Sequence, residues 1–492
     1  MTEERIALGT ARGRWVLAAT ALGSGMAFLD GTVVNVALPA MGEDLNAGMA
    51  GLQWIVNGYM LMLASLVLLS GSLGDRLGRR RTFVVGVIWF AAASVVCAIA
   101  PNLEVMIAGR VLQGIGGALL TPGSLAILQT TFQHSDRGKA VGAWSGLTSV
   151  AAAVGPFVGG TLVDRGSWQL IFLLNVPLAL ATVLVTLRHV PETRDEEAAG
   201  KLDITGAILA TLGLAALTFG LISAGDHGFG DPLVLTSLVI GVVAFAAFVE
   251  VERRGKHPML PLSIFANRRF TAANLVTVVV YGALGTATFL VVVYLQTALH
   301  YSALWAGASL LPMTVLMLVL SGYAGGLADR IGPRIPMTVG PLLMAGGFLL
   351  MLRIDTGTSY YSAVLPAVVL LGLGLVATVA PLTATVMASV EDHHAGIASG
   401  VNNAVARTGQ LMAVAAIPLA AGITGDTYLD PVAFHNGFGR ALWISAGLAA
   451  AGGAIAWVTI GDRDKPREPH LVDHHVHCAL EAPPYAQSRT QS

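Results

Sequence analysis

The sequence predicts an all-α polytopic membrane protein with fourteen transmembrane helices, and three observations carry that expectation. Hydrophobic residues make up 54% of the 492 positions while Asp, Glu, Lys and Arg together reach 12%, about half the ~25% of an ordinary soluble domain. Such a chain cannot coat itself with charge. Apolar stretches of about 20 residues, the length that crosses a bilayer, recur fourteen times along it. Lys and Arg fall into alternate connections, as they do when basic loops are retained on the cytoplasmic side.

The N-terminal segment 1–14 carries Arg5, Arg12 and Arg14 ahead of the first apolar run. That run lacks a small-residue cleavage site and is followed by further spans, so it reads as an uncleaved first helix. Helix 1 centres near Met26 and contains Asp30; helix 2 centres near Leu61 and ends in the glycine and arginine cluster Gly71 to Arg81. Helices 3 and 4 centre near Ala91 and Leu119, with Arg110 a few residues into the fourth. Helix 5, near Val150, is interrupted by Gly155-Pro156-Phe-Val-Gly159-Gly160, and helix 6 centres near Leu178. Helices 7 and 8 follow near Leu212 and Val242, after a polar stretch from about Arg188 to Asp203. A second polar stretch, from about Glu250 to Arg269, leads into helices 9 to 14 near Leu284, Val315, Leu343, Leu373, Met412 and Ala450.

One set of connections and ends holds 23 of the 28 basic residues, the other set only Arg165, Arg353 and Arg440, while Arg110 and Arg407 lie inside helices. Both termini are therefore expected in the cytoplasm. The one weak connection is Glu391 to Ala395, expected inside yet carrying only His393 and His394.

An internal repeat divides the chain. Gly71-Ser-Leu-Gly74-Asp75-Arg76-Leu-Gly78-Arg79-Arg80 recurs 254 residues later as Gly325-Gly-Leu-Ala-Asp329-Arg330-Ile-Gly332-Pro333-Arg334. The copies follow helices 2 and 10, so eight helices separate equivalent points where two six-helix units would give six. The expected organisation is a six-helix bundle at 15–190, an inserted helix pair at 200–255, a second six-helix bundle at 268–461 and a disordered cytoplasmic tail at 462–492. Paired bundles with a site between them are the architecture of a rocking transporter.

Composition excludes other classes. A net charge of -1 gives no basic face for nucleic acid, and the cysteines Cys97 and Cys478 lie too differently placed to form a disulfide scaffold. Intramembrane polar groups form no nucleophile–base pair or metal cluster, which argues against an enzyme. No G-x-x-x-x-G-K-[ST] loop is present, so ATP is not expected as the energy source and an ion gradient takes its place. The tail segment Asp473-His474-His475-Val-His477-Cys478 has metal-ligand residue types, but its dense spacing reads better as a solvated tail than as a site.

Asp30 is the one acidic residue set well inside an apolar helix. An intramembrane carboxylate is expensive and a functional-site candidate by default; the alternative is a structural hydrogen bond to Thr32 or Asn35. Arg110 pairs with a carboxylate or gates proton flow, unless it snorkels to the interface. Arg407, within Gly400-Val-Asn402-Asn403-Ala-Val-Ala-Arg407-Thr-Gly409, serves structural anchoring or transport equally well. The Gly155 to Gly160 segment removes a backbone donor and several side chains in one turn, giving a kink and a surface for close helix approach, unless it is ordinary glycine-rich packing. In the Gly71 to Arg80 loop, Asp75 is placed to accept hydrogen bonds from the arginines and to face the other bundle. Topology alone accounts for Arg79 to Arg81, but not for Asp75 and the glycines beside them.

Over about Trp15 to Gly461 the chain resembles the major facilitator superfamily, in particular its fourteen-span drug:proton antiporter family of bacterial exporters. Leu29-Asp30-Gly-Thr32-Val-Val-Asn35-Val-Ala-Leu38-Pro39 is similar to that family's first-helix signature. Trp54 and Tyr59, Asn175-Val-Pro177 and Tyr294-Leu-Gln296 match its habits as well. The resemblance implies the major facilitator fold, a bacterial cell-membrane location, no bound cofactor, and proton-driven efflux of drugs or antibiotics by alternating access. It implies proton coupling at Asp30 and Arg110, a gating loop at Gly71, Gly74, Asp75, Arg76, Gly78 and Arg79, and an antiporter kink at Gly155, Pro156, Gly159 and Gly160. Asn35, Trp54, Tyr59, Gln113, Tyr294 and Gln296 are expected to line the cavity. The implied substrate is a small hydrophobic drug or antibiotic, cationic ones included, alongside protons and membrane lipid. Helices 9 to 14 carry no second buried carboxylate, so Asp30 serves both proton and cation or the substrate is neutral. A dedicated exporter of one endogenous metabolite or antibiotic is the runner-up, favoured by 24 Arg against 4 Lys, a composition suggesting a GC-rich actinomycete. A passive facilitator is the reading from a different class.

Overall fold

A computed structural model describes residues 5–194, 202–255, 258–390 and 395–461. The tail motif Asp473 to Cys478 and most of the Glu391 to Ala395 connection lie outside the described residues.

Fourteen helices among the described residues are long and apolar enough to cross a membrane. Spans 1 to 6 are Ala11–Asp44, Met49–Leu77, Arg79–Ala98, Leu103–Thr131, His134–Asp164 and Gln169–His189. Spans 7 and 8 are Ile204–His227 and Pro232–Arg254. Spans 9 to 14 are Arg268–Thr297, Ala303–Ala328, Arg334–Met351, Tyr360–Ala388, Gly396–Ala421 and Pro431–Thr459. The only extended pairing in the described residues is an isolated bridge between Ile6 and Phe132.

Polar residues start many of these helices. The first backbone N–H groups of a helix have no partner within it, and the side chains of Thr10, Asn102, Asp203, Asp231, Asn267, Ser302 and Asp430 accept hydrogen bonds from them. Pro232 and Pro431 follow their caps directly, where a missing N–H costs nothing. The repeated loop shows the same economy twice. Gly78 and Gly332 hold equivalent positions 254 residues apart, and both adopt positive φ, +105° and +83°, a conformation only glycine takes without strain.

Spans 1, 2 and 9 are the most enclosed, whereas spans 5, 8 and 10 turn much of their surface outward. Span 8 exposes Val239, Ile240, Val242 and Val243, a face suited to lipid. Spans 7 and 8 pack on each other, and span 7 touches span 2 and span 13, at the seam between the first six and the last six helices.

The two ends of the seam differ. At the end away from the arginine-rich loops, the first and last six helices are tied together: Tyr428 Oη donates to Ala47 O at 2.8 Å, Met49 N to Gly425 O at 2.9 Å, and Gln296 Nε2 to Val36 O at 3.0 Å. Burial, and then the charge of Asp426, push the Tyr428 phenol above its ordinary range, so it stays a donor. Asp164 accepts from the N–H groups of Ala303 and Leu304 at 2.8 and 3.1 Å, ending span 5 on the start of span 10. At the arginine-rich end, spans 5 and 10 separate around a cavity of about 890 Å3 lined by Gly142, Trp144, Ser145, Met317, Gly322 and Tyr323. A methyl group added at Gly138, Gly142, Gly146, Gly322, Gly325 or Gly326 would touch nothing. The molecule is thus open at its basic end and closed at the other.

Candidate functional site

Near the middle of span 1, Asp30 is 2% exposed and ionically paired with Arg110 of span 4. Arg110 Nη1 lies 2.6 Å from Asp30 Oδ2, and Arg110 Nε donates to Ile55 O at 2.9 Å. Gln113, one turn after Arg110, donates to Asp30 Oδ1 at 2.7 Å and to Ser94 Oγ at 2.9 Å, while its own Oε1 accepts from Arg110 at 2.6 Å. Asn175 Nδ2 closes the ring towards Asp30 Oδ1 and Ser94 Oγ, at 3.5 and 3.3 Å. Both carboxylate oxygens are satisfied, as a buried charge requires. The Tyr59 ring covers the guanidinium, its centroid 4.5 Å from Arg110 Cζ, a cation–π contact strengthened by desolvation.

Glycines of span 4 make this closeness achievable. An added Cβ at Gly114 would lie 2.6 Å from Tyr59 O, and one at Gly116 2.7 Å from Phe90 N. Spans 2 and 3 therefore sit against the backbone of span 4, as small residues permit inside membranes, and Tyr59 and Ser94 reach Arg110 and Gln113.

Neither charge makes the particular contact set out as its structural alternative. Thr32 Oγ1 donates to Leu29 O and Asn35 Nδ2 to Gly31 O, so neither holds Asp30. Arg110 is 1% exposed and does not snorkel.

The central cavity, about 480 Å3, lies beside this network between spans of both halves. Asn35 and Tyr59 line it. The expectation that Trp54, Gln113, Tyr294 and Gln296 do so is revised. Trp54 lies against Phe219 of span 7, because it stands on a different face of span 2 from Tyr59. Gln113 is drawn into the Asp30 network. Tyr294 stacks on Phe438 at 4.3 Å and bonds His435, and Gln296 lies beyond the cavity at the closed end. Asn57, Tyr281, Asn402, Asn403, Arg407 and Gln410 line the cavity instead. Of these, Arg407 stood out in the sequence as a charge inside a helix; the other five are uncharged and gave no comparable signal.

In the Gly71 to Arg80 loop, Arg79 Nη2 pairs with Asp75 Oδ1 at 2.6 Å; no hydrogen bond joins Asp75 to the last six helices among the described residues. Glu192, which the sequence did not single out, accepts from Arg80 N and Arg81 N at 3.1 and 3.2 Å and so caps span 3. Arg76 ends span 2, and Gly71 and Gly74 face little. In span 5, Gly155 and Gly159 press on Thr32 and Val33 of span 1, while Gly160 meets the backbone of Leu304 across the seam. Pro156 receives Gly307.

The sequence model of the Major Facilitator Superfamily matches residues 20–414. The chain belongs to that superfamily. It is therefore a membrane transporter and not an enzyme. It is similar to the tetracenomycin C resistance and export protein of Streptomyces glaucescens, 36% identical over 86% of this chain and 79% of that one. It is also similar to the methylenomycin A resistance protein of Bacillus subtilis, 34% identical over 90% of this chain and 93% of the relative. Among solved structures, it shares its fold with a bacterial homologue of the human lysosomal transporter Spinster in an inward-facing, unoccupied conformation, with TM-score 0.63 and 16% identity over 92% of this chain and 97% of that one.

Proposed function

We propose that this major facilitator protein exports a drug or antibiotic across the bacterial cell membrane in exchange for protons, by alternating access. The observation that carries the coupling is the buried Asp30–Arg110–Gln113 network beside, but outside, the central cavity. The arginine-rich end is the cytoplasmic one, so the conformation described is open to the cytoplasm and ready to load. The bundles at 15–190 and 268–461 rock against each other, and the pair at 200–255 rides on the seam.

Protonating Asp30 removes the charge that holds Arg110. Breaking one partner out of a buried pair costs on the order of 3–5 kcal/mol, which one proton meets where the gradient reaches about 130–220 mV, at ~2.3 kcal/mol per charge per 100 mV. Asp30 shares span 1 with Thr32 and Val33, which pack on Gly155 and Gly159, and with Val36, which accepts from Gln296 across the closed end. Rearrangement at the carboxylate therefore acts on the contacts that close that end.

The test is transport in inverted membrane vesicles holding this protein. An imposed proton gradient should concentrate substrate inside the vesicles, and a protonophore should abolish the accumulation. Accumulation that ignores the protonophore overturns proton coupling; equilibration without accumulation makes the protein a facilitator.

A further inference from the structure

Among the described residues, Arg407 is the one charged residue lining the central cavity. Its Nε donates to Asn403 Oδ1 at 2.8 Å, and no acidic side chain or further acceptor meets its guanidinium among the described residues. The neighbouring Asp30–Arg110 pair sums to zero and leaves that charge uncancelled. Asn57, from the other half of the molecule, lines the same cavity, is fully buried, and has no hydrogen-bond partner at either Nδ2 or Oδ1. Buried polar groups are normally satisfied, and a charge at this depth needs a partner. One guanidinium and one carboxamide that face the cavity without a protein partner suit an acceptor that carries negative charge.

The geometry points to an amphipathic organic anion as the substrate class, its ionised carboxylate or phenolate received by Arg407 and by Asn57 Nδ2. A planar guanidinium suits a carboxylate in particular, through paired N–H donors. Phe28, Val56 and Phe289 line the cavity too and offer apolar surface to the rest of the molecule. An organic cation meets an unscreened like charge there instead. Because Arg407 and Asn57 belong to spans 13 and 2, the acid group also ties the two halves together across the seam. This inference rests on the export reading and specifies what is exported.

Three probes of nearly the same shape test it on the full chain in lipid nanodiscs: dansylglycine, its methyl ester, and N-dansylethylenediamine, which are anionic, neutral and cationic. Titrated by dansyl emission, the wild type should bind dansylglycine at least about tenfold tighter than either of the others. Arg407→Gln should bring it down to the ester's affinity, Arg407→Lys should keep part of the preference, and Asn57→Ala should weaken dansylglycine several-fold while leaving the ester unchanged. Equal or tighter binding of the ester or the amine by the wild type, or an undiminished preference in Arg407→Gln, overturns the assignment. The wild-type ranking needs no variant to fold. Protonophore-sensitive vesicle accumulation separates the two ideas: accumulation without anion preference removes the acid receptor alone, and anion preference without accumulation removes the export reading alone.

Discussion

In the proposed exchange, Asp30 is the single carboxylate that couples two fluxes. Its oxygens accept from Arg110, Gln113 and Asn175, so every neighbour is a donor. Asp30→Asn keeps the size and abolishes the charge. It should bind substrate yet lose uphill export, and substrate added to the solubilised variant should release no protons; full protonophore-sensitive export at wild-type expression would show the carboxylate to be structural. Arg110→Lys keeps the charge but cannot bond Asp30, Gln113 and Ile55 O together in one plane while lying flat beneath Tyr59. Transport should fall at least tenfold, a loss of about 1.4 kcal/mol or more, measured as initial rate in vesicles. Both charges were legible in the sequence because a charge in an apolar run is rare. Ser94 and Gln113 as partners were not, because a pairwise distance across helices leaves no trace in local pattern.

Span 5 works as an element with two faces. Gly155 and Gly159 seat it on span 1, whereas Gly160 and Asp164 join it to Leu304 and Ala303 of span 10. The Gly-Pro-Gly-Gly pattern pointed to close helix approach, but only the fold shows that one of its glycines faces the opposite half. Gly155→Leu or Pro156→Leu should leave the protein in the membrane and stop or uncouple export, with wild-type efflux returning the segment to ordinary packing. Asp164→Asn tests the closure alone. It weakens two charge-assisted bonds, worth about 1.5–3 kcal/mol each, so the closed end should open in a larger share of molecules. A distance measurement between spin labels at that end would then gain a longer population; an unchanged distribution would assign Asp164 to capping only.

At the scale of the whole molecule, the fourteen spans were readable from apolar length and the repeated loop from recurrence, whereas the positive φ of Gly78 and Gly332 came only with the structure. The seam was not, because which helices face each other across it depends on tertiary packing rather than on any one segment. Reporter fusions after Leu45, Arg165, Asp226 and Asp430 should read outside, and those after Arg79, Lys139, Arg194 and Arg254 inside; reversal on either side of spans 7 and 8 would break the orientation. The proposed rocking makes a sharper demand. Gly142 and Gly322 line the wide opening between spans 5 and 10, and neither has a neighbour where its side chain would stand. Closing the basic end must bring these two helices together if the other end is to open. In a variant with Cys97 and Cys478 replaced, Gly142→Cys with Gly322→Cys should crosslink poorly in the state described here. Adding Asp164→Asn, which loosens the opposite closure, should raise the crosslinked fraction several-fold, and the linked protein should stop transporting until it is reduced. If the pair never crosslinks while the unlinked protein still transports, spans 5 and 10 do not form the gate and the opening between them is a fixed feature of the fold.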